Sequence, residues 1–169
     1  LEAIHPAISP DESRIVFMGR WVDADSDTPI TTPFQIFVMN ADGTGVSKVG
    51  PDTISYQGAP DFAPTGRRIV FAGGRMDGGP LRTDLYVVDI HGNDVRRLTN
   101  LDAFLSCPRW HPDGERVLFS KDIDELLVVE VASGRVTEAL PAGVEGSCGD
   151  WSPDGSRLAY LADQDTDDV

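Results

Sequence analysis

A ten-residue pattern occurs four times in this chain, and it constrains the fold more than any other feature of the sequence. The copies are ISPDESRIVF at residues 8–17, FAPTGRRIVF at 62–71, WHPDGERVLF at 110–119 and WSPDGSRLAY at 151–160. Each copy places an apolar residue before a proline-containing turn, and an arginine, two apolar residues and an aromatic residue after it. Four aligned copies without a gap indicate a chain built from repeats of one structural unit.

The repeated pattern is typical of a β-hairpin. Proline fixes φ at the second position of a type I turn, aspartate accepts backbone hydrogen bonds at the third, and glycine follows. Apolar runs on both sides of such a turn indicate paired strands. Glu12 stands where the other three copies have glycine, so we expect the first turn to be strained or of another type.

A second hairpin pattern follows each of the first three copies. Its leading strand is IFVMN at residues 36–40, LYVVD at 85–89 and LLVVE at 126–130, and a turn and a short segment come after it. Two hairpins per repeat predict a four-stranded antiparallel unit. For the first unit we expect strands over residues 4–9, 14–18, 35–40 and 46–49. We expect no helix of three or more turns in any repeat.

Repeats of about 40–50 residues with four short strands each are typical of β-propeller blades. The predicted blades cover residues 4–49, 58–99, 105–140 and 146–163 of one all-β domain, with an acidic tail at 164–169. The fourth repeat has only its first hairpin, so we expect a partial propeller of three complete blades and half of a fourth, cut from a longer protein. Repeat length varies between the second and third strands alone, at residues 19–33, 73–83 and 121–124. These loops therefore lie on one face, which in repeat proteins is often the binding face.

Charge and hydropathy exclude several classes of partner. The chain has 14 Lys and Arg against 28 Asp and Glu, for a net charge of −14. Such an acidic surface repels phosphate, which argues against nucleic acid and anionic membranes as partners. No apolar run is long enough to span a bilayer, so we expect no membrane insertion.

The two cysteines occupy equivalent positions in successive repeats. Cys107 and Cys148 each lie three residues before the tryptophan of their copy. Packed sheets are separated by about 10 Å, whereas a disulfide needs Cα atoms within about 7 Å. We therefore expect two free, buried thiols.

Catalysis has little support in the sequence. No Gly-x-Ser-x-Gly nucleophile elbow occurs, and the segment nearest to one, at residues 146–149, leads into a strand. The three histidines, His5, His91 and His111, fall in different blades, which argues against a catalytic triad. We expect no catalytic residue and no cofactor.

One acidic segment resembles the start of a calcium loop. Asp23, Asp25 and Asp27 have the alternating spacing of oxygen ligands, and residues 163–167 repeat that spacing in the fourth blade. Neither segment has the glycine or the final carboxylate of such loops. A solvated acidic loop is the favoured interpretation, and a metal site is the weaker alternative.

Some residues recur at one position of the repeat and are expected to hold the repeats together. We expect each recurring arginine to pair with its turn aspartate or with a neighbouring blade, and the aromatic residues to pack between blades. The arginines are Arg14, Arg68, Arg116 and Arg157, and the aromatic residues are Phe62, Trp110 and Trp151.

Residues that break the repeat are better candidates for binding. Asp61, Arg109 and Asp150 share with Ala7 one position on the first strand of each blade, where we expect them to line a central channel. In the longest loop, Trp21 lies beside Arg20 and near Asp23. An exposed tryptophan beside charges suits an interface anchor. The alternative is that Trp21 folds back onto its own blade.

The Pro-Asp-Gly hairpin followed by the IFVMNADG hairpin resembles the repeat of TolB-type β-propellers, which are relatives of the WD repeat. The resemblance covers about residues 4–163. It implies a non-enzymatic scaffold that binds protein partners through the loop face and the channel mouth, in a periplasmic or other extracytoplasmic location. Propellers of this type close with six or more blades, so we expect this chain by itself to be marginally stable or to self-associate through its open ends.

The resemblance leaves two alternatives. Similar repeats form propellers attached to serine peptidases of the prolyl-oligopeptidase and tricorn kinds, so this propeller could gate or dock a peptidase domain outside the chain. A propeller enzyme of the polysaccharide-lyase kind would need clustered histidines or carboxylates on a metal. The scattered histidines count against that third interpretation.

Overall fold

The computed structural model describes residues 1–21, 32–75 and 78–162 of the chain, and these residues form fourteen strands and no helix. The strands are β1 (Glu2–Ile8), β2 (Arg14–Arg20), β3 (Gln35–Asn40), β4 (Ser47–Lys48), β5 (Tyr56–Phe62), β6 (Arg68–Arg75), β7 (Arg82–Asp89), β8 (Arg96–Arg97), β9 (Leu105–Trp110), β10 (Arg116–Lys121), β11 (Glu125–Glu130), β12 (Val136–Glu138), β13 (Ser147–Trp151) and β14 (Leu158–Leu161).

Consecutive strands pair antiparallel to make four sheets, which we call blades 1 to 4. Blades 1, 2 and 3 have four strands each, and blade 4 has the two strands β13 and β14. This confirms the predicted all-β partial propeller. In blade 1 the third strand has the predicted bounds, whereas the first strand begins two residues earlier and the last is shortened to Ser47–Lys48.

The repeated turns share one backbone conformation. The residue after the Pro-Asp or Pro-Thr pair has a positive φ, between 68° and 71° at Gly66, Gly114 and Gly155. Glu12 adopts the same left-handed region with φ 59°, as expected for a strained non-glycine residue in that place. Thus the first turn keeps the common type and carries the strain.

Serine hydroxyls reinforce the first and last of these turns. Asp11 Oδ1 accepts hydrogen bonds from the hydroxyls of Ser9 at 2.6 Å and Ser13 at 2.8 Å, and Asp154 does the same with its own flanking serines. These hydroxyl donors lower the pKa of Asp11 and of Asp154 to about 2. The aspartate of the motif is therefore a turn-stabilising acceptor.

The core lies between successive blades. One apolar cluster joins blades 1 and 2, a second joins blades 2 and 3, and a smaller one joins blades 3 and 4. The aromatic residue that ends the motif points to the preceding blade in blades 2 and 3, where Phe71 and Phe119 are completely buried. Burying a side chain of that size contributes about 1.5–3 kcal/mol. The predicted packing role is met by Phe62 and Trp110, which are buried, and by Trp151, which is half-buried against the third cluster.

The first strand of every blade carries the same irregularity. Pairing with the second strand slips near its middle, and one residue there has a positive φ between 45° and 52°. The four residues are His5, Ala59, Cys107 and Cys148. Such a slip is a β-bulge, which bends the strand and redirects one side chain.

The expectation of free thiols is wrong, because the first strands of neighbouring blades lie close together where the cysteines stand. Cys107 and Cys148 form a disulfide, and their Cα atoms are 5.2 Å apart. The first strands β1, β5, β9 and β13 contact one another in series, because propeller blades converge toward their common axis. The 10 Å spacing of stacked sheets does not apply there. The disulfide ties blade 3 to blade 4.

The topology gives the molecule two distinct ends. The repeated Pro-containing turns lie at one end, which we call the turn face. The loops between the second and third strands of each blade lie at the other end, the loop face, together with the segments that cross to the next blade. In the part of the chain that the structure describes, no helix could cross a membrane.

Candidate functional site

The predicted channel residues lie at equivalent places on the four converging strands. Ala7, Asp61, Arg109 and Asp150 pair respectively with Val16, Val70, Leu118 and Ala159 of the second strands. Each of the four comes two residues after the bulge of its strand. These four residues form what we call the wall. Because the charge at this position changes from blade to blade, the wall has a charge pattern that the repeat does not dictate.

Asp61 is at the centre of this wall. Its Oδ2 accepts a hydrogen bond of 2.8 Å from the backbone N–H of Trp110 in the next blade. Burial raises the pKa of Asp61 to about 6, with the charge of Asp150 acting in the same direction and that of Arg109 against it. The structure therefore brings three of the predicted residues within electrostatic reach of one another, and it gives one of them a pKa near neutrality.

Trp21 lies at the loop face of blade 1. Its side chain is 64% exposed, while its ring edge contacts Phe37, with 6.0 Å between the ring centroids. Arg20 stacks over the Phe34 ring at 4.5 Å and forms a 2.7 Å ion pair with Glu2. The ring therefore rests on its own blade and still presents most of its surface to solvent, and its role as an interface anchor stays a prediction.

The histidines do not come together. His5 is in the bulge of β1, His91 in the turn after β7, and His111 at the turn of blade 3. Within residues 1–21, 32–75 and 78–162, no group of three or more His, Cys, Asp or Glu side chains could hold a metal ion. The calcium-loop candidates Asp23, Asp25 and Asp27, and the segment 163–167, lie outside the described residues.

His111 instead joins two turns. The ring is 7% exposed, packs edge-on against Trp151 at 4.6 Å, and places Nε2 3.2 Å from the carbonyl oxygen of Gly155. The backbone N–H of Asp113 donates to Nδ1 at 3.1 Å. Nδ1 also lies 2.9 Å from Asp113 Oδ2, so the ring links the turn of blade 3 to that of blade 4.

The recurring arginines behave differently from one another. Arg116 pairs with its turn aspartate, Asp113, at 2.8 Å, as expected. The ion pairs among the described residues include none from Arg14, Arg68 or Arg157. In the second copy of the motif a threonine replaces the aspartate, and in the first and last copies the aspartate accepts hydrogen bonds from serine hydroxyls instead. The predicted ion pair is therefore found in one repeat of four.

Sequence reasoning missed a cleft at the loop face of blade 2, which we call the arginine cleft. It has a volume of about 610 Å³ and is lined by Arg75, Arg82 and Arg97, with Ile54, Pro80 and Tyr86 on its apolar side. The signal in the sequence was the pair of arginines at the two ends of the glycine-rich loop at 73–83.

Comparison with known proteins bears on the fold and on possible activities. The family model described as the TolB beta propeller domain matches residues 2–169. Among solved structures, TolB from Acinetobacter baumannii superposes with a TM-score of 0.75 at 21% identity, over 98% of this chain and 39% of that one. The structure described as putative TolB from Agrobacterium tumefaciens has a TM-score of 0.74 at 21% identity, over 96% of this chain and 60% of that one.

A curated relative carries a different description. The uncharacterized peptidase YuxL of Bacillus subtilis is 26% identical over 120 residues, which are 71% of this chain and 17% of that protein. The chain therefore spans less than two thirds of the length of each of these three proteins.

Proposed function

Because this chain belongs to the TolB β-propeller family, we propose that it is a non-catalytic scaffold that binds other proteins through its loop face and the mouth of its channel. The observation that supports the proposal most directly is the wall of Asp61, Arg109 and Asp150, whose charges differ between otherwise equivalent positions. A residue that only holds the repeats together is expected at the same position of every repeat, whereas the residues of a binding surface are expected to differ between repeats. Trp21 adds a large exposed aromatic side chain, a common type of interface anchor.

The charge of the chain restricts the partner. A net charge of −14 disfavours nucleic acid and anionic membranes as partners, which is consistent with the protein partner that we propose. Its contact surface should carry positive groups opposite the acidic surface of the blades and apolar groups opposite Trp21.

We also place the chain in an oxidising compartment outside the cytoplasm. The disulfide between Cys107 and Cys148 supports this location, because disulfides persist in secreted and periplasmic proteins and are rare in the cytosol. The resemblance to TolB-type propellers points the same way.

Site-specific photocrosslinking in the producing cells tests the scaffold function. A benzoylphenylalanine at Trp21 should give discrete protein adducts on the loop face. The control position is Val95, which is 42% exposed in the turn between β7 and β8 at the other end of blade 2. Adducts of equal intensity from both positions, or none from Trp21, would contradict the proposal.

A second function is favoured by one observation, the similarity to a protein described as a peptidase. In that case the propeller docks or gates a hydrolase domain. The same crosslinking experiment separates the two functions. Labelling of the Trp21 adduct with a fluorophosphonate probe, which reacts with active serine hydrolases, would identify a peptidase partner. We expect the adduct to remain unlabelled.

A further inference from the structure

We propose that the arginine cleft binds a carboxylate presented by an acidic segment of the protein partner. This inference rests on the proposed scaffold function and names the chemistry that one part of the loop face recognises. The cleft lies on the side of blade 2 that faces blade 1, beyond the loop-face end of the apolar cluster that joins the two blades.

The cleft is lined by two like-charged residues at opposite positions of a strand pair. Arg75 and Arg82 are direct cross-strand partners at the last pair of β6 and β7. Opposite residues in an antiparallel pair have Cβ atoms about 4.5–5.5 Å apart, and like charges there are destabilising. In blade 3 the last pair is Lys121 with Glu125, which form an ion pair. Blade 2 thus pairs two cations where its neighbour pairs opposite charges, and an anion between the guanidinium groups would relieve the repulsion.

The backbone is built to bring this pair together. Gly74 lies next to Arg75, and a Cβ added there would be 2.1 Å from the carbonyl oxygen of Arg82. Only glycine lets the two strands stay paired as far as the arginines. The pairing at this end is therefore specified by the sequence.

Among the described residues that line the cleft, the acidic residue is Asp84, and it pairs with Arg97 rather than with Arg75 or Arg82. Asp84 Oδ2 accepts a hydrogen bond from Arg97, and Oδ1 accepts from the Thr99 hydroxyl at 3.0 Å. Asp84 and Arg97 therefore bind each other, and Arg97 also donates to Asn100 at 2.6 Å. Arg82 uses one of its five N–H donors on the carbonyl oxygen of Asp102 at 3.0 Å. The lining residues retain a net positive charge in a chain of net charge −14.

A carboxylate fits this environment better than a phosphate. Guanidinium groups bind carboxylates through two parallel hydrogen bonds, and the two arginines here are on directly opposite residues that both line the cleft. The acidic surface around the cleft repels a dianion more strongly than a single carboxylate. Ile54, Pro80 and Tyr86 add apolar contacts of the kind that the stem of a glutamate makes. The volume of about 610 Å³ admits a short peptide segment.

Fluorescence anisotropy with the complete 169-residue chain tests the proposal. The probe is a labelled peptide with four glutamates between glycines, and its matched control has glutamines in their place. We expect Arg75→Glu to weaken binding of the glutamate peptide at least tenfold, without loss of thermal stability because the change creates a complementary pair with Arg82. Arg67→Glu is the matched variant, since Arg67 is exposed at the turn face of the same blade, and it should change binding by less than twofold.

Three results would overturn the carboxylate site. One is equal binding of the glutamine peptide, and another is equal loss in the two glutamate variants. The third is displacement of the peptide by inorganic phosphate at lower concentration than by glutarate, which would make the cleft a phosphate site. If the peptide fails to bind while the Trp21 crosslinks persist, the cleft proposal falls and the scaffold function stands.

Discussion

The His111 ring links the turns of blades 3 and 4, and it lies close against Gly155 in the turn of blade 4. Gly155 has φ +69°, and a Cβ added to it would lie 2.5 Å from His111 Nε2. Gly66 has nearly the same φ, +68°, but its added Cβ would meet no atom nearer than 3.7 Å, on Pro10. The two glycines therefore separate the cost of the backbone conformation from the cost of a clash.

Alanine at these two positions should destabilise the protein to different degrees. We expect Gly66→Ala to cost about 1–2 kcal/mol, the price of a left-handed conformation. Gly155→Ala should cost about 1–3 kcal/mol more, because the methyl group displaces the His111 ring. Urea denaturation measures both, and His111→Ala in the Gly155→Ala background should recover part of the extra loss. Equal effects of the two alanines would show that the ring does not constrain the turn.

Asp61 should make stability depend on pH in a definite direction. Its pKa in the folded protein is about 6, above the ordinary 3.8, so the folded state binds this proton more tightly than the unfolded state. The stabilising contribution is full below pH 4 and is lost as the pH rises to 6, by on the order of 2 kcal/mol. Asp61→Asn should remove that loss.

The measurement compares the free energy of unfolding between pH 4 and pH 7 for both proteins. Asp154→Asn serves as the control, because the pKa of Asp154 is about 2 and this group does not titrate in the window. If wild type and Asp61→Asn show the same slope, the carboxyl of Asp61 is not buried as described.

At the scale of elements, the hairpins could be predicted and the bulges could not. Apolar runs and Pro-Asp-Gly turns contain the local information that sets strands and turns, so β3 was placed correctly and β2 began where expected. The bulge is a departure from regular pairing and leaves no trace in hydrophobic alternation. Its one signal was a proline directly after His5, Ala59 and Cys107, since proline within a sheet is tolerated at bulges.

The disulfide should contribute substantially to the attachment of blade 4. Its cysteines are 41 residues apart, and closing a loop of that length in the unfolded chain is worth about 4 kcal/mol. We expect Cys107→Ser with Cys148→Ser to lower the free energy of unfolding by about that amount. Ser133→Ala with Ser156→Ala, a pair of changes in exposed turns, is the control and should have a far smaller effect.

Thiol titration of the unfolded, unreduced protein provides an independent check of the bond. No free thiol should be found before reduction, and two should be found after it. Two free groups before reduction would restore the original expectation and remove the argument for an oxidising compartment.

At the scale of the whole molecule, the end blades expose apolar surface. Leu161 on β14 is 66% exposed, and Ile8 on β1 is 63% exposed. Within the described residues β14 pairs only with β13, so that one side of its backbone is an open sheet edge. Edges of this kind template pairing with another chain.

We therefore expect the 169-residue chain, produced by itself, to self-associate. Light scattering should show a mass that rises with protein concentration. Leu161→Asp should reduce association, whereas Ile123→Asp, at an 81% exposed position in the loop between β10 and β11, should not. A monomer of constant mass at all concentrations would show that the end blades need no partner.

The candidate site was predictable in part. Comparison of the four repeats identified Asp61, Arg109 and Asp150, because a position that varies inside an otherwise constant motif is visible in the sequence. The pKa of Asp61 was not predictable, since it depends on burial by the next blade. The arginine cleft also escaped prediction, because Arg97 reaches it from β8 through pairing with Tyr86, a contact that the sequence does not display.

Because the bulge recurs in every blade, a disulfide like the one between Cys107 and Cys148 could also join other neighbouring blades. His5, Ala59, Cys107 and Cys148 occupy the same place in four blades with the same left-handed backbone. Any two neighbouring blades therefore offer equivalent positions for a disulfide. Replacing Ala59 with cysteine would supply a thiol in the blade next to that of Cys107. In a repeat protein of this kind, a disulfide can therefore move from one pair of neighbouring blades to another during evolution or engineering without redesign of the scaffold.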